Sequence, residues 1–282
     1  MSGGLTGRRG PGGFEVVGPD DRVVAAVRPN DWETRFFGRR FGLLETEAAL
    51  LASLPFDARE HAVALAASAA DEDGYHLLQA QADVRSLEVA AALEVAGFRL
   101  VDTRVEFLTR LDRRLAPRHD PPFGVAGPAG PQDRDALLAL VQEGLTTNPA
   151  FRSRYKDPAF FTPEETSRWF AAWVDGDLAD PKTLSAVWRV EEGPAAFFGY
   201  ARRGEREGLP LYKSTLAVVA RSRQGHKAHI FLQTALFDAM PADEFWVRGA
   251  TQLTNGPVIR NNIALGRRLD RIELTFFRRG PA

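Results

Sequence analysis

One stretch constrains the fold of this chain more than any other. Residues 214 to 240 read Ser-Thr-Leu-Ala-Val-Val-Ala-Arg-Ser-Arg-Gln-Gly-His-Lys-Ala-His-Ile-Phe-Leu-Gln-Thr-Ala-Leu-Phe-Asp-Ala-Met. Leu216, Ala217, Val218 and Val219 form a short apolar run, and the valines with the Ser214-Thr215 lead-in favour a covered strand over a buried helix. From Ala228 the apolar residues recur at Ala228, Leu232, Ala235, Leu236 and Ala239, the rhythm of a helix with one buried face. Pro241 stops it. Between strand and helix lies Arg221-Ser222-Arg223-Gln224-Gly225-His226-Lys227, where the first N–H groups of the helix have no intrahelical partner. Free donors, the positive end of the helix dipole and the cations Arg221, Arg223 and Lys227 together make an anion site suited to a pyrophosphate. The competing reading is a solvated basic turn.

At 282 residues the chain is long enough for two modest domains. Lys plus Arg number 36 against 37 Asp plus Glu, so nothing suggests a bulk nucleic-acid binder or a protein of anionic membranes. There are no cysteines, which excludes thiolate nucleophiles and cysteine metal sites and fits a reducing compartment, with the cytoplasm as default. Met1 to Gly13 carries Arg8-Arg9 without a following apolar segment and reads as a flexible Gly-rich tail. No apolar run approaches the roughly 20 residues of a membrane span.

Tyr75 to Ala82 alternates like a strand, Ser86 starts a helix through Val95, Gly97 closes it, and Phe98 to Leu111 is a long strand. The same β-α-β layout recurs near the C-terminus. Superposing Gly97 on Gly266, an offset of 266 − 97 = 169, sets Val105-Glu106-Phe107 on Leu274-Thr275-Phe276 without a gap, a weak internal repeat that chance would also produce. Residues 112 to 122, rich in Pro, Arg and Asp, form the expected linker between a domain at 14–111 and another at 123–282. In the second domain, Phe123 to Ala126 reads as a strand and Ala136 to Glu143 as a helix. Pro163-Glu164-Glu165 starts a helix carrying Trp169, Phe170 and Trp173, and Leu184 to Val190 and Ala195 to Arg202 pair as strands. After the central helix follow a strand at 245–251, a helix at about 257–265 and a final strand at 271–278.

The strand-turn-helix resembles the acyl-CoA signature of the GNAT superfamily of N-acetyltransferases, Gln/Arg-x-x-Gly-x-Gly/Ala. The matching frame here is Arg223-Gln224-Gly225-His226-Lys227-Ala228, with His226 at the central glycine. Asn255-x-x-Val258-x-x-x-Asn262-x-x-Leu265-Gly266 is similar to the GNAT C-terminal motif, with Arg267 in place of its terminal aromatic. More narrowly, the chain resembles the dTDP-fucosamine (dTDP-4-amino-4,6-dideoxygalactose) acetyltransferase family. Trp32-Glu33-x-x-Phe36-Phe37-Gly38, Gly97-Phe98-x-Leu100-Val101, Phe151-Arg152, Gln233-Thr234-Ala235-Leu236 and Ala250-Thr251-Gln252 carry that resemblance. It implies an α/β chain with a mixed central sheet, in which a smaller GNAT-like half-domain precedes a C-terminal GNAT acyl-CoA N-acyltransferase fold. It implies acetyl-CoA as acyl donor and a small-molecule primary amine as acceptor, with a nucleotide-linked amino sugar as the sharpest guess.

The donor would lie against Val218, Val219, Arg223, Gln224, Gly225, His226, Lys227, Ala228, Asn255 and Asn262. Asn262 occupies the position at which the family is expected to place a tyrosine acid, and an amide donates no proton in that sense, so Tyr212, Tyr200 or solvent would have to serve. Asn255 suits a hydrogen bond to the pantetheine arm and equally a helix N-cap. Phe151, Arg152, Tyr155 and Trp173 could wall the acceptor, with Arg152 on a phosphate, although tryptophans more commonly pack in cores. A base is needed for the amine, and Glu191, Glu205, Glu207, Asp157 and Asp175 qualify by location only. His226 and His229 sit one turn apart without a framing carboxylate, so no metal is expected. A homodimer is left open. A CoA-binding sensor without turnover and a transferase of another acyl group are the alternative functions.

Overall fold

The computed structural model describes residues 4–116 and 119–281. In chain order the strands are β1 Thr6–Gly10, β2 Gly13–Val17, β3 Val23–Pro29, β4 Phe41–Thr46, β5 Leu77–Asp83, β6 Arg99–Asp112, β7 Val125–Pro128, β8 Thr183–Val190, β9 Gly193–Arg206, β10 Leu209–Val219, β11 Glu244–Gln252 and β12 Leu269–Arg279. The helices are α1 Asp31–Phe37, α2 Ala48–Ser53, α3 Phe56–Glu72, α4 Leu87–Val95, α5 Arg134–Val141, α6 Pro163–Ala179, α7 Ala228–Ala239 and α8 Gly256–Ala264. The chain divides into two compact units, Met1–Arg104 with Arg271–Ala282, and Val105–Asp270.

In the N-terminal unit the strand order is β1-β2-β3-β4-β5-β12. Here β4 and β5 run parallel, and α2 and α3 connect them. The alanine face of α3, with Ala62, Ala66 and Ala70 fully buried, lies against Val16, Val24, Val27, Leu44 and Leu78. Alanine sets the helix close to the sheet, so a larger side chain at Ala66 would overpack this layer by roughly 1–3 kcal/mol. The β-α-β repeat is present in the structure: α4 shifted by 169 residues (87 + 169 = 256, 95 + 169 = 264) coincides with α8. Gly97 and Gly266 close the two helices with left-handed φ of 82° and 70°. A side chain would be strained at either position.

Two findings depart from the sequence expectations. Thr6–Gly10 pairs antiparallel with Gly13–Val17, so most of the expected tail is a hairpin, because backbone pairing satisfies N–H and C=O groups whatever the side chains. The division between units falls within β6, ahead of the expected linker, and the last strand returns to the first unit. There β12 pairs with β5 from Glu273↔Asp83 to Arg279↔Leu77. Residues 1–3, 117–118 and 282 of the expected tail, linker and second domain lie outside the described residues.

The C-terminal unit takes the second half of β6 beside β11 and continues β10-β9-β8-β7. Arg110 holds Glu244 at 2.9 Å, and the Arg113 N–H donates to Asp243 O at 2.7 Å, fixing that edge. β10 and β11 are parallel, whereas β9 is antiparallel to both β10 and β8. One face packs against α7 through Trp188, Phe198, Tyr200, Phe231, Leu236, Phe237 and Phe245. The other carries α5 and α6, where a capping box joins Thr162 and Glu165 at the start of α6.

Candidate active site

The parallel ladder between β10 and β11 is short. It runs from Leu211↔Trp246 to Lys213↔Arg248, while β10 continues to Val219 and β11 to Gln252. Beyond Lys213 the β11-facing edge of β10 therefore has backbone groups with no strand partner, whereas its other edge stays paired to β9 as far as Val219↔Ala196. Unpaired backbone donors and acceptors in a protein interior need partners, and an extended amide-containing ligand supplies them. Between Ser214 and Ala217 the strand bulges: three residues of β10 span two of β9, from Tyr200 to Phe198. Bulges bend a strand and are concentrated beside active sites.

The unpaired edge leads directly into the basic turn. After a short 3-10 turn at Arg221–Arg223, Gly225 and Lys227 both adopt left-handed conformations, φ 91° and 58°. A lysine in that region is unfavourable unless its surroundings impose it. Lys227 O accepts the first bonds of α7, from Ile230 N at 2.8 Å and Phe231 N at 3.3 Å, so the preceding N–H groups open toward the turn. Arg221, Gln224, His226 and Lys227 are exposed. Arg223 is partly engaged: it donates to Glu192 at 3.0 Å and lies over the Phe123 ring at 5.5 Å. His226 stands edge-on to Phe123 at 5.3 Å. Ala228, Val218 and, in part, Val219 are buried. Val218 packs on Gly144, where an added Cβ would come within 2.5 Å of its Cγ2. Gly144 belongs to a π-helical turn, Gln142–Thr146, whose Glu143 accepts the Arg221 N–H at 3.0 Å. Such turns often mark functional sites.

A buried polar cluster lies where the two strands part. A Cβ at Gly249, the first β11 residue past the last pair, would meet Arg267 Nη1 at 2.8 Å, Ser214 Oγ at 3.5 Å and Asn262 Oδ1 at 3.9 Å. Arg267 is buried and donates to the Tyr200 hydroxyl and to Gln233 Oε1. Gln233 in turn reaches His229 Nδ1 at 2.8 Å. Burial, then the Arg267 charge, pull the His229 pKa down to about 3, so the imidazole is neutral. Asn262 donates to Val258 O at 2.9 Å, and its buried Oδ1 has no partner among the described residues. Asn255 caps α8, accepting from Val258 N at 3.4 Å.

The sequence-predicted residues thus separate. Tyr212 lies in the paired part of β10, buried in the core edge-on to Phe245 at 5.9 Å, and burial raises its pKa. It lies ahead of the unpaired edge of β10. Tyr155 is buried and stacked on Trp169 at 4.0 Å, and Phe151 packs on Phe170. Arg152 is exposed, and Trp173 is 39% exposed on α6. The reading missed Asp177. It is buried on α6, accepts from Thr215 Oγ1 at 2.5 Å, and is pushed up to about 6 by burial, against the opposing hydrogen bonds of Thr215 and the Leu216 N–H. Only the i, i+4, i+8 spacing of Trp169, Trp173 and Asp177 signalled it.

The N-terminal unit repeats the architecture without this chemistry. Its parallel pair β4 and β5 ends at Leu44↔Ala80, but the chain then reads Glu45-Thr46-Glu47, and α2 has no side-chain cap. An acidic turn repels phosphate. A cavity of about 250 Å³ near it is lined by charged residues that include Asp83, Arg271 and Glu273. Among the described residues no group of three His, Cys, Asp or Glu is placed to hold a metal, and no helix is long and apolar enough to cross a membrane.

No family model and no curated protein matches the sequence. Solved structures do match the fold. A GCN5-related N-acetyltransferase from Sphaerobacter thermophilus aligns with 16% identity over 95% of this chain and 81% of its own, with a TM-score of 0.62. A tandem GNAT protein from the clavulanic acid biosynthesis pathway aligns with 17% identity over 95% of this chain and 83% of its own, TM-score 0.55. A glucosamine N-acetyltransferase region in a fungal multi-domain beta-N-acetylglucosaminidase aligns with 13% identity over 93% of this chain and 32% of its own, TM-score 0.55. The chain has the two-half GNAT fold, and these likenesses establish the fold alone.

Proposed function

We propose that the chain is an acetyl-CoA-dependent N-acetyltransferase acting on the primary amine of a small molecule. The observation that carries this reading is the release of β10 from β11 after Lys213, leading into a left-handed, basic turn at the start of α7. The GNAT fold of the chain and its sequence motifs support it. Acetyl-CoA, when bound, supplies the thioester that is aminolysed. The turn from Arg223 to Ala228 would hold its pyrophosphate, through backbone donors with Lys227 and Arg223, and the free edge of β10 would pair with the pantetheine amides. N–H groups of that edge near Val218 and Val219 would stabilise the oxyanion. Asn262 hydrogen-bonds rather than protonates, so the leaving thiolate would take its proton from solvent.

For the acceptor we carry forward a nucleotide-linked amino sugar, supported by the resemblance of the sequence islands and by the exposed Arg152 beside Phe151. A second reading has its own observation. Asn262 stands where a tyrosine acid is expected and is tied to Val258 O, which fits a CoA-binding protein without turnover. Thiol release from acetyl-CoA against an amine panel separates the two: amine-dependent release supports the transferase, and stabilisation by acetyl-CoA without release supports the sensor.

A further inference from the structure

A primary ammonium with a pKa near the lysine value of about 10.4 holds its proton at neutral pH and cannot attack a carbonyl until the proton is lost. A destination for that proton lies on the sheet face covered by α6. Cross-strand pairing sets Ser185 opposite Gly199, and the bulge of β10 brings Thr215 beside Gly199 on the other side. These three small residues form a floor, with the Asp177 carboxylate above it. Gly199 has no room for a side chain, since a Cβ would lie 2.4 Å from Thr215 Oγ1 and 2.8 Å from Asp177 Oδ2. Ser185 Oγ is 3.4 Å from the same point, buried, and without a partner among the described residues.

Asp177 has two neutral donors, the Thr215 hydroxyl and the Leu216 N–H, both from the bulge. The charged groups acting on it are Arg203 on β9 and Asp180 at the end of α6, and neither forms an ion pair with it. One turn away on the same face of α6, the half-exposed Trp173 adjoins the buried Trp169 at 6.2 Å. A buried carboxylate without a counter-cation, an unpartnered hydroxyl and an aromatic approach together describe a receptor for an amine.

We infer that Asp177 receives the primary ammonium of the acceptor and takes its proton. The inference rests on the N-acetyltransferase reading and names its base. The balance is simple: R–NH3⁺ and the Asp177 carboxylate give R–NH2 and the carboxylic acid. The nitrogen lone pair then adds to the thioester carbonyl to form the C–N bond, the oxyanion collapses as the C–S bond breaks, the second N–H proton passes to solvent, and the thiolate takes a proton from solvent. Burial supports the assignment, because a carboxyl pushed up to about 6 is ionised at neutral pH and is a better base than an ordinary aspartate.

The test uses the full chain, wild type and Asp177→Asn, with acetyl-CoA as donor and glucosamine, ethylamine or a dTDP-amino sugar as acceptor. Melting shifts report donor binding, and thiol release is followed from about pH 5 to 9. The expected result is an equal acetyl-CoA melting shift in both proteins, a wild-type kcat that rises with pH through about 6, and a variant whose kcat falls about 10²-fold or more and loses that limb. Asp177→Glu should restore part of the rate and the limb. A variant that keeps wild-type kcat and the same pH limb would overturn the assignment. If wild type shows no acetyl-CoA melting shift, or shows one with no release to any of the amines, the underlying N-acetyltransferase reading fails instead.

Discussion

Lys213 and Arg248 form the last pair of the parallel β10–β11 ladder, and after them β10 pairs only with β9, at Ser214 and from Ala217 to Val219. The two strands do not simply end there. β10 extends six residues further and β11 four, so the structure holds extended, unpaired backbone inside a unit that is otherwise well paired. The basic turn follows at the end of that edge.

The turn should account for much of the donor affinity. In the proposed complex Arg223 and Lys227 would each give the pyrophosphate a surface charge-assisted bond, of about 1–2 kcal/mol. Arg223→Ala with Lys227→Ala is therefore expected to weaken CoA binding by about 10-fold or more, leaving the melting temperature of the free protein nearly unchanged. Isothermal titration with CoA checks this. The loss should shrink with dephospho-CoA if the 3′-phosphate shares these cations.

Glu192 competes for one of them. Its carboxylate holds Arg223 at 3.0 Å and is itself largely exposed, so the pair is worth less than about 1 kcal/mol. Glu192→Gln is expected to tighten CoA binding about 2- to 5-fold by freeing the guanidinium, and this gain should vanish in an Arg223→Ala background. Titration of the single and double variants measures the coupling.

Asp177 makes stability depend on pH. Its folded pKa of about 6 lies above the ordinary 3.8, so the fold prefers the protonated form. That preference is fully present below pH 3.8 and is lost as pH rises through 6. Relative to Asp177→Asn, wild type should lose on the order of 3 kcal/mol of unfolding free energy between pH 4 and 7. Urea denaturation at the two pH values reads it directly.

Tyr200 anchors the buried polar cluster. Its hydroxyl accepts from Arg267 and bonds Gln233, and Tyr200→Phe would leave both partners less satisfied in the interior. The expected loss is about 1–3 kcal/mol. Thermal denaturation of the variant tests it, and a stability equal to wild type would contradict the importance of this network.

Much of this was legible in the residues. The order of strands and helices follows from period and punctuation, Asn255 reads as a cap and is one, and the 169-residue offset places α4 on α8. What was hidden depends on distant segments meeting. Asp177 looks like any helix-surface carboxylate until α6 is laid on the β10 bulge. Nothing local in the last strand tells that it pairs with β5, because a strand's edge accepts any partner of compatible register. The surroundings of Tyr212 were hidden likewise, because its packing on Phe245 depends on which face of β10 α7 covers.

The most direct test of the central claim is the melting temperature of wild type with and without acetyl-CoA, titrated to millimolar concentration. The account predicts a concentration-dependent rise, about 2.7 kcal/mol of stabilisation at a hundredfold excess over Kd. No rise with acetyl-CoA or free CoA at any concentration would contradict it, and the unpaired edge of β10 and the turn at α7 would then hold some other ligand or none.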